Sequence, residues 1–320
     1  MELARASLLD ILAYVEAELV RGAEAIELDV LDPDLGAGCY AGELVEHDGA
    51  RYVHRPFRVW VDLAERLGLR LCMPRALAPP LVRIVLERLD RTARVHADAA
   101  DPTERYGTAS VFARIHKLED PGFVLDLTEA LDRVAPPAGA RVLDLGVNTG
   151  DELALLLARS PALRDATIVG VDHSASAIAR ARERFAGHRV ELHVADVGAL
   201  AALGLGRFDL VLSIGTLQSA GIDDRELVRR VVQDHLAPGG AVIFGFPNCR
   251  YVDGEVEYGA RMKNFRQPEL GLLVKDVAFY RKYLQQHRRQ VFVTGKHYVL
   301  VTAVALREVA AVEQDAGERE

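Results

Sequence analysis

The chain has 320 residues, half of them apolar and 27% charged, with a formal net charge of −8. This balance suits one or two globular domains and counts against a general nucleic-acid binder, which needs a basic face to displace counterions. No apolar run reaches the ~18 residues of a membrane span, the N-terminus lacks a signal-peptide pattern, and three scattered cysteines suit neither a disulfide framework nor a zinc site. A cytoplasmic protein without metal is expected. Charge is uneven, however. Between Arg250 and Tyr298 ten Lys/Arg stand against five Asp/Glu, either a solvated surface or a basic rim around an anionic substrate.

Residues 4–21 have helical spacing, with Leu8, Ile11, Leu12, Val15 and Leu19 on one face. Strand-like runs follow at 25–31, 39–46 and 51–54, the last two joined by the turn signal His47-Asp48-Gly49. A second amphipathic helix over 57–67 stops at Gly68. Further strands at 69–73 and 82–88 flank Pro79-Pro80. Together they predict a small α+β module over residues 1–100. Within it, His54-Arg55-Pro56-Phe57 and Trp60 match no motif of known chemistry, and the role of the module is open. The polar, alanine-rich stretch 90–108 predicts a hinge or strap.

Beyond it the pattern changes. A helical segment near 110–134 leads into strands at 140–145, 167–171, 190–194, 208–213 and 241–246. Helices fall between them at about 151–159, 175–185 and 223–235, and alternation of this kind implies a parallel sheet with crossover helices. A last helix over 273–287 precedes two runs, 290–294 and 298–304, that are close enough to pair only antiparallel. The expected fold is α/β: a doubly wound, Rossmann-like, seven-stranded sheet over residues 108–306 ending in an antiparallel hairpin. A polar tail, 307–320, follows.

Three acids stand at three consecutive strand ends. Asp144 lies in Val142-Leu-Asp-Leu-Gly146, which runs through Asn148 to Gly150 and a helix. Glycines there admit a ligand close to the backbone, and the helix N-terminus offers free N–H groups. Asp172, with His173 beside it, closes the second strand, where doubly wound folds grip ribose hydroxyls. Asp196, followed by Val197, ends the third and is placed to accept from an adenine amino group. All three lie on the carboxyl edge of the sheet, where ligands bind in such folds.

Residues 110–304 resemble the class I S-adenosylmethionine-dependent methyltransferases. The matching motifs are Val142-Leu-Asp-Leu-Gly146 with Gly150, Gly170-Val-Asp-His-Ser174, Ala195-Asp196, Phe208-Asp-Leu-Val-Leu-Ser213 and Leu236-Ala-Pro-Gly-Gly240. The resemblance implies that Asp144, Gly146 and Gly150 hold the methionine part of S-adenosylmethionine, Asp172 the ribose, and Asp196 with Val197 the adenine, with Asn148, His173 and Ser213 among the cofactor-binding residues. It also implies that Ser213 faces the reactive methyl. The chain departs from the family at Asn148, where glycine is usual; Asn tolerates the left-handed backbone that the turn needs. The loop is not Gly-x-Gly-x-x-Gly, so a nicotinamide cofactor fits poorly.

The family has no universal catalytic residue. Ser213 and Gln218 with Thr216 after the fourth strand, Asn248 with Pro247 after the fifth, and His297 by the last turn are the candidates; for His297 the favoured reading is a surface histidine flanking a strand. The insert 248–270, with Tyr251, Tyr258, Arg261 and Lys263, predicts a substrate lid. Arg114 and Lys117 read either as contacts to the cofactor carboxylate or as solvated charges, and Phe279, Tyr280 and Tyr283 as helix packing. The favoured activity is methyl transfer to a small metabolite, anionic if the basic stretch rims the site. An RNA methyltransferase that binds substrate through its N-terminal module, and a catalytically silent S-adenosylmethionine-binding protein, are the alternatives. A homodimer is left open.

Overall fold

The computed structural model describes residues 2–91, 101–219, 221–258 and 270–306. Its backbone divides into two compact units, one of Met1–Arg94 with Arg250–Tyr258, the other of Val95–Cys249 with Gly259–Glu320.

The first unit opens with α1 (Leu8–Val20), which starts at Leu8 because Ser7 and Asp10 form a reciprocal capping box. There follow β1 (Ala25–Leu31), β2 (Leu44–His47), β3 (Ala50–Val53), α2 (Phe57–Leu67), β4 (Leu69–Leu71), β5 (Arg75–Ala76) and β6 (Leu81–Arg88). β6 is central, pairing antiparallel with β1, β4 and β5. Leu28, Ile84 and Leu86 from this sheet pack with Ile11 and Val15 of α1 and Trp60, Leu63 and Ala64 of α2. The strand expected over 39–46 begins only at Leu44, because Gly42 turns left-handed at φ 93°.

The second unit contains α3 (Pro121–Val134), β7 (Arg141–Leu145), α4 (Asp151–Arg159), β8 (Thr167–Asp172), α5 (Ala175–Arg184), β9 (Val190–Val194), β10 (Phe208–Ile214), α6 (Asp224–Arg230) and β11 (Leu236–Pro247). After β12 (Cys249–Val252) and β13 (Glu255–Tyr258), α7 (Leu270–Gln286), β14 (Arg289–Thr294) and β15 (Tyr298–Ala305) complete it. Its seven strands run in the order β14-β15-β11-β10-β7-β8-β9. β11 to β9 are parallel, and β15 pairs antiparallel with both β11 and β14.

Strand periodicity sorts the core. Val142, Ile168, Leu210, Leu212 and Ile243 join the cluster under α3, α4 and α5. Leu143, Val169, Val211 and Phe244 join that of α6 and α7. Both faces are covered, so the central strands are apolar almost throughout. Each large side chain buried this way contributes about 1.5–3 kcal/mol. Tyr280 stacks on Phe246 with ring centres 5.0 Å apart, as the packing reading of α7 requires.

Two helices depart from expectation. The segment near 110–134 is two short 3-10 turns, Val111–Arg114 and Lys117–Glu119, before α3. Asp120 precedes Pro121, whose ring disfavours helical backbone at that position; its side chain instead caps α3 by accepting from Gly122 and Phe123. The helix expected over 223–235 ends at Arg230 and continues as a π-type turn, Val231–His235.

Of the insert after β11, predicted as a lid over 248–270, only residues up to Tyr258 are described before α7 opens at Leu270. Its residues 250–258 belong to the first unit, because β12 and β13 form a hairpin whose charges are held there. Arg70 pairs with Asp253 at 3.0 Å and Glu255 at 3.2 Å. Arg91 pairs with Glu257 at 2.5 Å, and Arg250 also pairs with Glu257. Tyr251 lies half-buried on β12, and Tyr258 ends β13. Arg261, Lys263 and the polar tail lie outside the described residues.

Candidate active site at the carboxyl edge of the sheet

The order of the large sheet reverses at β7, whose neighbours β8 and β10 lead away to opposite edges. Beyond the carboxyl ends of the strands at such a point lies a crevice that no crossover helix covers. The chain leaves β7 through Gly146 (φ 81°), Asn148 (φ 47°) and Gly150 (φ 83°), all in left-handed backbone. Space also demands the glycines: an added Cβ would lie 1.8 Å from the Thr216 hydroxyl at Gly146 and 2.3 Å from the Phe185 ring at Gly150. Asn148 tolerates its conformation because its side chain is used twice. Nδ2 donates to the Tyr106 carbonyl at 2.8 Å, and Oδ1 accepts from the Thr149 amide at 2.9 Å.

Asp144 shares the face of β7 that carries Val142, and it is buried among charges. Burial, and then the charge of Glu152, pushes its carboxyl well above the usual range; Lys117 opposes this and Asp172 adds to it. Its Oδ2 has no hydrogen-bond partner. Lys117 is neither solvated nor free for a ligand carboxylate: its ammonium lies 2.6 Å from Glu152 of α4, and its side chain is 12% exposed. Burial works against that ammonium, but Glu152, Tyr298 and Asp151 together outweigh it and hold it above the ordinary lysine value. Arg114 is exposed.

Asp172, at the end of β8, accepts from the Ser174 amide through Oδ1 and from the Asn148 amide through Oδ2, each at 2.9 Å. His173 beside it is exposed. Asp196 is exposed at the end of β9, where it caps the turn Val197–Leu203 by accepting from Gly198 at 2.7 Å; Val197 is buried. Asp144, Gly146, Asn148, Gly150, Asp172 and Asp196 therefore share the carboxyl edge of β7, β8 and β9.

Residues 101–108 bind this edge, although no local pattern marks them as anything but linker. Glu104 accepts from the Ser174 hydroxyl at 3.0 Å, the Ser176 amide at 3.1 Å and the Ser176 hydroxyl. The Thr108 amide donates to the Ser176 hydroxyl at 3.0 Å. With the bond from Asn148 to Tyr106, this strap is tied to both loops that flank the crevice. Serines capping α5 two residues apart are the one hint in the sequence, and they name no partner.

The candidates after the fourth and fifth strands separate. Ser213 is wholly buried, and its hydroxyl donates to the Leu145 carbonyl across β10 and β7. Gln218, in the loop after β10, is 2% exposed and neither end of its amide has a partner. Asn248 is a latch: its backbone amide donates to the His297 carbonyl at 2.7 Å and its side chain to the Lys296 carbonyl at 3.2 Å. His297 lies 3.9 Å from Asp120 and is one-quarter exposed. Next to it, Tyr298 is buried, and burial pushes its hydroxyl up to about 12.

Residues 142–240 match the family model described as a methyltransferase domain. The chain carries a methyltransferase domain. The matched residues run from β7 to the glycines that open β11, and so contain every acid of the crevice. Over 122 residues, 38% of this chain and 44% of the relative, the domain is 37% identical to a trans-aconitate 2-methyltransferase of Variovorax paradoxus. Over 113 residues, 35% of this chain and 46% of the relative, it is 33% identical to a ubiquinone biosynthesis O-methyltransferase of Azotobacter vinelandii. The chain thus spans under half the length of these curated relatives. A solved S-adenosylmethionine-dependent methyltransferase of Aquifex aeolicus is 15% identical, with a TM-score of 0.42, covering 61% of this chain and 98% of that one.

Proposed function

We propose that the methyltransferase domain binds S-adenosylmethionine at the carboxyl ends of β7, β8 and β9 and transfers its methyl group to a small, anionic metabolite. The observation that carries this reading is Asp144: a buried carboxylate with one oxygen unsatisfied, beside a glycine turn, at the point where the strand order reverses. An unpaired buried oxygen is costly unless a ligand supplies a donor, and the cofactor's ammonium is a donor of matching charge. Gly146 and Gly150 supply the left-handed turn beside which its methionine part would lie. Asp172 keeps lone pairs for ribose hydroxyls after accepting two amides, and Asp196 with Val197 stands at the third strand for the adenine.

The bound cofactor supplies an electrophilic methyl on a sulfonium. The chain's own contribution is position, since in-line displacement gains most from alignment and exclusion of water. Gln218, with both amide groups unsatisfied in the loop after β10, is the side chain assigned to orient the acceptor. Ser213 holds β10 against β7 and does not touch the reacting atoms. Asn248 positions the turn that carries His297. An acceptor that is already an oxyanion needs no proton removed, so no general base is invoked. The names of the relatives support a small-molecule acceptor, and trans-aconitate is itself anionic. Incubation with methyl-labelled S-adenosylmethionine and a panel of di- and tricarboxylates should label at least one of them; label transferred only to RNA would overturn the choice of acceptor.

A further inference from the structure

In the first unit, Arg55 is 5% exposed, and no acidic side chain pairs with it among the described residues. One of its nitrogens, Nη2, donates to the Ala6 carbonyl at 2.6 Å; another, Nη1, is buried with no partner. The guanidinium lies over the ring of Trp60, 5.8 Å from its centre, and the Trp60 indole N–H is also buried and unsatisfied. Trp60 is 1% exposed.

Both residues flank the start of α2, whose cap is Pro56 with no side-chain hydrogen bond. The N-terminus of a helix carries partial positive charge and free N–H groups, so a cation beside it is unfavourable unless an anion stands between them. Burial alone lowers the basicity of Arg55, with no acid offsetting it. An unpaired buried cation is among the most costly groups a fold can hold. The other cations of this part of the chain are accommodated: Arg5 lies exposed over Tyr52, and Arg58 of α2 pairs with Asp62. His54, whose Nδ1 is also buried without a partner, packs its ring against Gly36, where an added Cβ would meet Nδ1 at 1.9 Å.

We propose that Arg55, the indole N–H of Trp60 and the uncapped start of α2 form a binding site for a small oxyanion, a carboxylate or phosphate group. The anion accepts from Arg55 Nη1 and Trp60 Nε1, neutralises the guanidinium and caps the helix. This site is independent of the cofactor crevice, and its ligand need not be the methyl acceptor. It gives the motif His54-Arg55-Pro56-Phe57 with Trp60 a purpose: Arg55 is the charge, Pro56 leaves the helix without a side-chain cap, and Trp60 is the second donor.

Trp60 is the only tryptophan of the chain, so its single indole N–H resonance reports on the site directly. The full chain, labelled with nitrogen-15, is titrated separately with inorganic phosphate and with acetate against chloride at matched ionic strength. A saturable downfield shift of the indole proton with either anion, absent with chloride, is the expected result, and the tighter of the two identifies the ligand class. Arg55→Met should weaken that binding at least about tenfold, the loss typical of a charged hydrogen bond, and leave S-adenosylmethionine affinity unchanged. Should Arg55→Met fail to fold, Arg55→Lys, which keeps the charge but loses the fork, is expected to weaken it as well. An indole resonance that neither anion moves saturably would overturn the proposal, as would equal affinity in the wild type and a folded Arg55 variant.

Discussion

The amide of Asn148 donates to Asp172 Oδ2 at 2.9 Å, joining the turn after β7 to the tip of β8. The carboxylate proposed to grip the ribose therefore also fixes the loop proposed to receive the methionine part. Asp172→Ala removes both roles. S-adenosylmethionine affinity should fall on the order of a hundredfold, the value of ~2–4 kcal/mol of charge-assisted bonding, measured by titration calorimetry. Equal affinities would remove Asp172 from the site.

Asn148 stands where glycine is usual, and its left-handed backbone is offset by the two bonds of its side chain. Asn148→Gly relieves the backbone and loses both bonds, so it should destabilise by about 1 kcal/mol. Asn148→Ala keeps the strain as well as losing the bonds and should cost about 2 kcal/mol. Thermal unfolding of the two variants checks the ranking, and Ala more stable than Gly would contradict it.

Glu104 ties down the strap, and its hydrogen bonds from Ser176, ahead of that from Ser174, hold its carboxyl below the usual glutamate range. A depressed folded value means that this stability is present above the ordinary glutamate pKa and is lost as pH falls through the folded value. The protection of the Gly107 and Thr108 amides, relative to their intrinsic exchange, should therefore fall in acid. Glu104→Ala should speed their exchange at neutral pH by at least about tenfold, given a charge-assisted bond lost. Unchanged protection in that variant would show that the strap is held by other contacts.

Asp144 has the opposite sign. Burial first, and Glu152 next, raise its carboxyl, so between the ordinary and the folded values the native state binds the extra proton and stability falls as pH rises. Asp144→Asn removes that loss without changing shape. The unliganded variant should be more stable at neutral pH, on the order of 1–2 kcal/mol, and its unfolding midpoint should depend less on pH. Its S-adenosylmethionine affinity should drop about a hundredfold, because a neutral amide offers no countercharge to an ammonium. A variant that loses stability at neutral pH would contradict this account of the buried charge.

The sheet was legible because its strands are apolar runs of the right length. The acids at their ends could be placed by counting alone, and β1, α2, α4 and β9 match the expected bounds. What was not legible depends on partners far away in the chain. Lys117 reads as a surface charge until Glu152, 35 residues on, arrives beside it. The strap reads as linker because Glu104 finds its serines 70 and 72 residues later. The hairpin of residues 250–258 follows β11 in sequence, yet Arg70 holds it in the first unit across 183 residues. Asn248 looked like a catalytic amide after a strand, but its bonds go to the turn at Lys296 and His297. Periodicity reports faces and ends; it carries no information about which distant charge will close a pair.

The central claim is that the crevice beyond β7, β8 and β9 holds S-adenosylmethionine through Asp144. Titration calorimetry of the wild type and Asp144→Asn, with S-adenosylmethionine and separately with NADH, tests it most directly. The account predicts saturable binding of S-adenosylmethionine to the wild type, a loss of about two orders of magnitude in the variant, and no binding of NADH to either. Binding of NADH with none of S-adenosylmethionine would contradict it, as would S-adenosylmethionine binding that Asp144→Asn leaves intact.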